Sequence, residues 1–268
     1  MSAFFRELEN VLFENEPQKK IYKFRAFYDE FKANNLYLES DFKSKPLITP
    51  SYASFCDVKS MRDMKIKYPK DKKFPSFVHS IAHIEYSAID IALDAAYRFT
   101  NLPYEYYQNW LEVAEDEIRH FEMISKYLDN LGYKYGDFIV HDGLFIAMQK
   151  TENSFINRMA LLPRYMEANG LDANLHMGSK VLSYDDEKLA DILQVILDEE
   201  VSHVAKGDKW FKFACKQNGL EHSVYIDIIR SLYPNAFKQK RELNVEARLK
   251  AGFSKFELEQ IINLMEER

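Results

Sequence analysis

The chain has 268 residues, 47% of them hydrophobic, a formal net charge of −6 at pH 7 and two cysteines, Cys56 and Cys215. This length can bury a sizeable core without disulfides, and two cysteines exclude a disulfide framework and favour a reducing cytosol. No apolar run is long enough to cross a membrane and residues 1–10 do not resemble a signal peptide, so the sequence predicts a cytoplasmic protein.

The N-terminal part of the chain, 1–75, is predicted to be a helical and irregular extension. Residues 2–34 carry two helical patterns, the second with Pro17 in its first turn. Across residues 36–75 the helical periodicity is lost, and prolines interrupt the segment at positions 46, 50, 69 and 75. A loop of this length usually wraps the surface or covers a site, and the sequence leaves both alternatives open.

Two long helices follow, each with one carboxylate inside an apolar stripe. Ser76 is predicted to cap the first, which runs to about Thr100 and carries Glu85. The second runs from Pro103 to about residue 131 and carries Glu117. Because a buried carboxylate is costly without a partner, both side chains are candidates for a buried polar site.

A second pair of helices repeats this arrangement. A less regular third helix is predicted over about residues 144–169, with Pro163 as a kink and Glu167 near its end. The fourth is capped at residues 185–186 and ends near Gly219.

No segment predicts a β-strand with any confidence, so the fold class is all-α. Shorter helices are expected near 222–232 and 236–249, and a last one begins with the capping box formed by Ser254 and Glu257. We expect three parts: the extension 1–75, a four-helix bundle 76–219, and C-terminal helices 220–268 packed on the bundle.

Two Glu-x-x-His motifs provide the main functional signal. A separation of three positions makes about one helical turn, so the two side chains of each motif lie on one face of a helix. A lone glutamate precedes each motif glutamate by nearly the same interval, as in two related helical hairpins. The six residues are Glu85, Glu117, His120, Glu167, Glu200 and His203.

Four carboxylates and two imidazoles are typical ligands of a dinuclear site inside a four-helix bundle. Their four negative charges neutralise two divalent cations, and the oxygen and imidazole donors suit iron or manganese. We predict two Fe ions, with Mn or a mixed Mn/Fe pair as alternatives. Glu117 and Glu200 are expected to bridge the ions.

Neighbouring polar residues have less specific interpretations. Asp116 and Glu199 are expected to orient the imidazoles by accepting the ring N–H of His203 and of His120, respectively. Glu152 is the alternative to Glu167. His79 and His83 are predicted to be core or interface residues, with additional metal ligands as the alternative. His141 is predicted to organise a turn, with gating of the site as the alternative. Packing is the preferred role of Tyr86 and Tyr165, with redox activity as the alternative.

Several segments, taken together, resemble a known family. They are residues 79–94, 115–121, 135–137, 141–144, 163–172, 199–204 and 244–253. They are similar to a ferritin-like family catalogued as a domain of unknown function (DUF455-type), over about residues 75–258. The resemblance implies a ferritin-like four-helix bundle, related to di-iron carboxylate proteins and to the tRNA-modifying di-iron hydroxylase, with the same six residues as metal ligands.

The leading functional prediction is an oxidoreductase, a di-iron oxidase or monooxygenase that activates O2. Its expected partners are O2, an electron donor and a small-molecule or nucleoside substrate. No membrane partner is expected, and a homodimer is compatible with the sequence. The negative net charge does not favour nucleic acid, but tRNA stays open, with the lysines of residues 67–73 as the one basic run.

Other functions use the same ligands. A ferroxidase or iron-handling protein would assemble into a cage. A peroxide-scavenging protein of the rubrerythrin or manganese-catalase kind is another alternative, although the two cysteines cannot form the Cys-x-x-Cys module of rubrerythrin. A bundle that has lost its metal is the non-enzymatic alternative, and the presence of all six ligands argues against it.

Overall fold

The computed structural model describes residues 2–64, 66–173, 186–238 and 242–266. Over these residues the chain is mostly helical, which confirms the all-α prediction. No helix within these ranges is long and apolar enough to cross a membrane. The chain divides into two compact units, Met1–Gln149 and Lys150–Arg268. The three-part division made from the sequence stays a prediction.

The first unit contains the N-terminal extension and the first long helical hairpin. Its elements are β1 (Ser2–Ala3), α1 (Phe4–Leu12), α2 (Pro17–Lys32), β2 (Leu36–Tyr37), a 3-10 turn (Ser51–Ser54), β3 (Val58–Lys59), a second 3-10 turn (Met61–Asp63), α3 (Lys70–Arg98), α4 (Tyr104–Asn130), β4 (Val140–His141) and α5 (Gly143–Lys150). The last residue of α5, Lys150, is the first of the second unit.

The four strands were not predicted from the sequence. β1 pairs in parallel with β2, and β3 pairs in parallel with β4. Each strand is two residues long, too short for an alternating hydrophobic pattern to reveal. The β3–β4 pair ties the irregular segment to the loop that follows α4, with Lys59 opposite His141.

The predicted start of α3 at Ser76 is wrong, because the helix begins at Lys70. Pro75 therefore lies inside the helix, where it cannot donate a backbone hydrogen bond. The added turn brings Phe74 against Tyr127 of α4, edge to face, with 6.4 Å between ring centroids. This aromatic contact favours the longer helix and helps to offset the lost hydrogen bond.

α3 and α4 form a helical hairpin joined by residues 99–103. Helices joined by so short a connection pack as antiparallel neighbours. The predicted stripes are buried: Ile81, Ala82, Glu85, Ile89 and Ala92 on α3, and Trp110, Val113, Ala114, Glu117, Phe121, Ile124 and Leu128 on α4. Each helix therefore buries one glutamate among apolar side chains.

The second unit contains the remaining helices. They are α6 (Phe155–Leu161), a π-helix (Leu162–Glu167), α7 (Glu187–Gln217), α8 (Val224–Leu232), α9 (Val245–Lys250) and α10 (Lys255–Glu266). Residues 168–173 continue as helix after the π-helix. Most of the connection predicted at 171–184 lies outside the described residues.

The third helix is not continuous as the sequence predicted. It breaks at residues 151–154, and Ser154 starts a new helix by accepting a hydrogen bond from the Asn157 backbone N–H at 3.3 Å. Pro163 does not simply kink the chain, since the backbone around it widens into the π-helix. Proline lacks the N–H of a regular helical bond, and a π-turn accommodates that loss.

The later helix starts are mostly as predicted. Asp186 caps α7 by accepting from the Leu189 N–H at 2.9 Å. Ser254 and Glu257 form the predicted capping box before α10. The helix predicted at 236–249 is shorter, because Asn244 caps α9 by accepting from the Ala247 N–H at 3.1 Å.

A buried ion pair holds α2 against α3. Lys20 is fully buried, and its Nζ donates to the Asp90 carboxylate and to the Leu12 carbonyl, the latter at 3.1 Å. Ser51 Oγ donates to the other Asp90 oxygen at 2.5 Å. The buried charges are therefore paired and hydrogen-bonded, which is the condition for tolerating them in a core.

Replacing Lys20 should destabilise the folded chain. Lys20→Met leaves the Asp90 carboxylate without its cation, and we expect the free energy of unfolding in urea to fall by about 3–5 kcal/mol. Lys19→Met is the matched control, because the Lys19 side chain is 64% exposed and its bridge to Glu16 lies at the surface. Equal stability of the two variants would contradict a structural role for the pair.

Candidate metal centre

The first unit brings Glu85, Glu117 and His120 together. α3 supplies Glu85, while α4 supplies the other two residues one turn apart. His120 Nδ1 lies 3.4 Å from Glu85 Oε2 and 3.4 Å from Glu117 Oε2. One potential ligand atom from each residue lies within 4.8 Å of the others. Glu117 and His120 are fully buried, and Glu85 is 5% exposed.

The second unit brings Glu167, Glu200 and His203 together in the same pattern. The π-helix supplies Glu167, and α7 supplies the Glu-x-x-His pair. His203 Nδ1 lies 3.5 Å from Glu200 Oε2 and 3.9 Å from Glu167 Oε1. The three ligand atoms again lie within 4.8 Å of one another. Glu167, and not Glu152, is the glutamate of this group.

The two triads therefore share one composition and one connectivity. In each, a glutamate from one helical element meets a Glu-x-x-His pair from the next long helix. The nearly equal sequence intervals between each lone glutamate and its motif glutamate correspond to this structural repeat. The difference between the triads is local, because the first lone glutamate lies on a regular α-helix and the second at the end of a π-helix.

The electrostatics of the first triad favour a bound positive charge. Burial alone lowers the pKa of His120, but the close carboxylates of Glu117 and Glu85 outweigh it and raise this pKa to about 11. The triad thus takes up a proton to balance two buried carboxylates. A metal ion supplies the same balance and displaces that proton.

The donor atoms of both triads fit iron or manganese. Each triad offers carboxylate oxygens and one imidazole nitrogen, the set that non-haem iron and manganese sites use. Neither contains a thiolate, which structural zinc sites commonly require. The residues present therefore match the predicted metals in donor type and in charge.

Close packing sets the register of Glu167 against α7. A Cβ added at Gly207, one turn after His203, would lie 2.4 Å from Pro163 Cβ in the π-helix. Only glycine allows the two backbones to approach this closely. Because π-helical turns are frequent at functional sites, the Pro163–Gly207 contact is a means of directing Glu167 toward His203.

Two buried arginines hold the backbone on either side of Glu167. Arg164 donates to Asp208 Oδ1 at 2.8 Å and to Glu257 Oε1 at 2.6 Å. Arg248 forms a bidentate pair with Asp172 and donates to the Ala168 carbonyl at 3.1 Å. Sequence reasoning missed both, because a helical pattern does not distinguish a buried, paired arginine from an exposed one.

The histidines of α3 are bound by the loop that follows α4. His79 Nε2 accepts from the Gly136 N–H at 2.9 Å. His83 contacts the Tyr135 hydroxyl at 2.9 Å and the His141 carbonyl at 2.8 Å. Both are buried, as expected of core histidines. His141 Nδ1 accepts from the Gly143 N–H at 3.2 Å, which is a turn contact.

Asp116 and Glu199 are the residues expected to orient the imidazoles. Asp116 accepts from Arg119 of the same helix at 2.6 Å. The expected pairs, Asp116 with His203 and Glu199 with His120, each join residues of the two units. Both pairs stay predictions.

Gly207→Ala should destabilise the chain, because its methyl group would overlap Pro163. We expect a loss of about 1–3 kcal/mol in the free energy of unfolding, as for other overpacked contacts. Gly170→Ala is the matched control, since no atom lies within 4 Å of its added Cβ. A helical alanine should leave stability unchanged or raise it by about 0.5–1 kcal/mol. A neutral Gly207→Ala would contradict the close approach.

His79 should make the folded chain sensitive to mild acid. Burial lowers its pKa to about 4, against a smaller opposing effect of Asp137. The unfolded chain therefore binds a proton below about pH 6.5 that the folded chain does not bind until about pH 4. Stability contributed by neutral His79 is present above this window and is lost as pH falls through it.

Between pH 7 and pH 5 the loss from His79 should be about 2 kcal/mol in unfolding free energy. His79→Gln retains an acceptor for the Gly136 N–H and removes the titrating group. Its urea unfolding curves at the two pH values should therefore differ by less than those of the unaltered chain. The same difference in both proteins would show that His79 does not contribute.

The chain matches a family model and one curated relative. The family is described as "Protein of unknown function (DUF455)", and its model matches residues 13–259. An uncharacterised protein of Haemophilus influenzae is 33% identical over an alignment 276 positions long, which covers 97% of this chain and 94% of the relative. No solved structure matches the chain. These comparisons assign no activity, so function has to be argued from the two triads.

Proposed function

Because the chain belongs to the DUF455 family of unknown function, we propose its activity from its chemistry: a ferritin-like, dinuclear carboxylate protein that activates O2 to oxidise or hydroxylate a substrate. The observation that supports this most directly is the pair of matched triads, each with two glutamates and a histidine held within 4.8 Å. A single such triad is a common local arrangement. Two with the same connectivity are what a dinuclear site requires.

The proposed bundle consists of α3, α4, the helical segment 155–173 and α7. This assignment rests on the repeated sequence pattern and on the family resemblance. In it, Glu85, Glu117, His120, Glu167, Glu200 and His203 would hold two ions, with one histidine for each ion. Four carboxylates would then balance two divalent cations in surroundings of low polarity.

The protein's part in the reaction is to hold charge and exclude water. O2 activation would draw on the electrons and the open coordination positions that bound iron supplies. Glu117 and His120 are fully buried, so bulk water does not reach their side chains. Electrostatic interactions in the first triad are therefore stronger than they would be in water. Arg248 and the Pro163–Gly207 contact fix the backbone around Glu167, so that its carboxylate is held in place before any ion binds.

The proposed partners are O2, an electron donor and a small-molecule or nucleoside substrate. Iron is the proposed metal, with manganese or a mixed Mn/Fe pair as the alternative outcome of metal analysis. An iron-handling or peroxide-scavenging role would use the same ligands, and the reaction with O2 or with peroxide separates these functions.

Metal content tests the proposed site directly. Protein purified without chelator should contain about two iron atoms per chain, and Glu117→Gln/Glu200→Gln should contain few or none, because two of the four proposed carboxylate ligands are lost. Glu105→Gln/Glu187→Gln is the matched control, since it removes two exposed glutamates from the same two helices, α4 and α7. No metal in any of the three proteins would contradict the proposal.

The reaction of the loaded protein tests the activity. After anaerobic loading with Fe(II), exposure to O2 in a stopped-flow instrument should give O2 consumption and an absorbance change that the double glutamine variant lacks. Two manganese ions with turnover of hydrogen peroxide would instead indicate a peroxide-scavenging enzyme. Bound iron that does not react with O2 would contradict the oxidase function and leave the metal site intact.

A further inference from the structure

A hydrogen-bonded tyrosine and histidine in the first unit have no role in the proposed function. Tyr135 belongs to the loop after α4, and its hydroxyl lies 2.9 Å from Nδ1 of His83 on α3. His83 is 3% exposed, so the pair meets in the interior of the first unit.

The direction of this hydrogen bond is fixed by the second ring nitrogen. His83 Nε2 lies 2.8 Å from the His141 carbonyl oxygen, which can only accept. Nε2 must therefore carry a proton, and in the neutral ring Nδ1 is then the acceptor. The Tyr135 hydroxyl consequently donates to His83. The His141 carbonyl is itself held in place by the β3–β4 pairing.

Aromatic rings pack around Tyr135. The Tyr86 ring centroid lies 5.2 Å from that of Tyr135, and Tyr86 directly follows Glu85 in the sequence. Phe121 and Phe55 pack against Tyr135 as well, at 5.2 Å and 5.5 Å. Burial raises the pKa of Tyr135 well above its ordinary value, so the phenol does not lose a proton by itself near neutral pH.

We propose that Tyr135 is a redox-active tyrosine that transfers its proton to His83 as it loses an electron. The electron goes to a one-electron oxidant derived from O2, so the physiological role rests on the proposed function. The O–H bond of Tyr135 breaks, an N–H bond forms at His83 Nδ1, and the products are a neutral tyrosyl radical and an imidazolium. Tyr86, whose ring packs on that of Tyr135, is a candidate relay for the electron.

The hydrogen bond between Tyr135 and His83 suits both the transfer of the proton to His83 and its return. An oxidised phenol is a far stronger acid than phenol, so a neutral imidazole at hydrogen-bonding distance is a sufficient acceptor. The imidazolium keeps its Nε2–H bond to the His141 carbonyl, and no further rearrangement is needed. When a one-electron reductant restores the electron, the proton returns along the same hydrogen bond.

The test uses the metal-free chain, so that its outcome does not depend on the proposed metal site. Flash photolysis of ruthenium tris(bipyridine) with a sacrificial quencher generates the oxidant in solution, and electron paramagnetic resonance of frozen samples detects tyrosyl radicals. Exposed tyrosyl radicals should decay first by coupling with one another. A long-lived tyrosyl signal should remain, and Tyr135→Phe should lack it.

Tyr106→Phe is the matched control. Tyr106 is fully buried, and its hydroxyl donates to a backbone carbonyl, that of Ala95, at 2.8 Å. This variant should keep the long-lived signal. A signal that persists unchanged in Tyr135→Phe would overturn the proposal.

His83→Gln separates proton transfer from simple packing. Glutamine can accept the Tyr135 hydrogen bond but cannot take up the proton, so the long-lived radical should form about tenfold more slowly while the far-UV circular dichroism stays the same. An unchanged rate would overturn the proposal. If His83→Gln does not fold, radical formation in the unaltered chain should be slower in D2O than in H2O, and equal rates would overturn the proposal.

Discussion

Burying two carboxylates next to an imidazole is costly unless a positive charge joins them. The first unit buries such a group, and the second unit assembles the same residue types with its two glutamates partly exposed. In the first unit, Glu117 and His120 are fully buried on α4 and meet Glu85 from α3. The carboxylates raise the pKa of His120 to about 11, although burial alone lowers it. The metal-free protein therefore balances the charge with a proton. This unfavourable group among apolar side chains is what makes a metal the reasonable occupant.

The rest of each unit supports the geometry of its triad in a different way. The α3–α4 hairpin needs only a short connection and a continuous apolar contact to align its ligands. The second unit uses a π-helix, the glycine at position 207 and two buried arginines to hold Glu167 in line with α7. Equivalent ligand sets are thus built by regular helices in one case and by irregular backbone with buried ion pairs in the other.

The sequence predicted correctly the features that depend on residues within a single helix. Glu-x-x-His spacing, apolar stripes and the capping residues Asp186 and Ser254 depend on near neighbours in the chain, and the structure has these helices and caps. The failures depend on distant contacts. The earlier start of α3 involves packing of Phe74 on Tyr127, and the parallel pairing of Lys59 with His141 joins segments far apart in the chain. Local periodicity carries no information about such contacts.

Anomalous X-ray scattering at the iron edge, on crystals of the iron-loaded protein, tests the central claim most directly. A dinuclear centre built from both triads predicts two peaks about 3.5–4 Å apart, one beside His120 and the other beside His203. Two widely separated peaks would show that each triad binds an ion independently. No peak at either histidine would contradict the assignment of these residues as metal ligands.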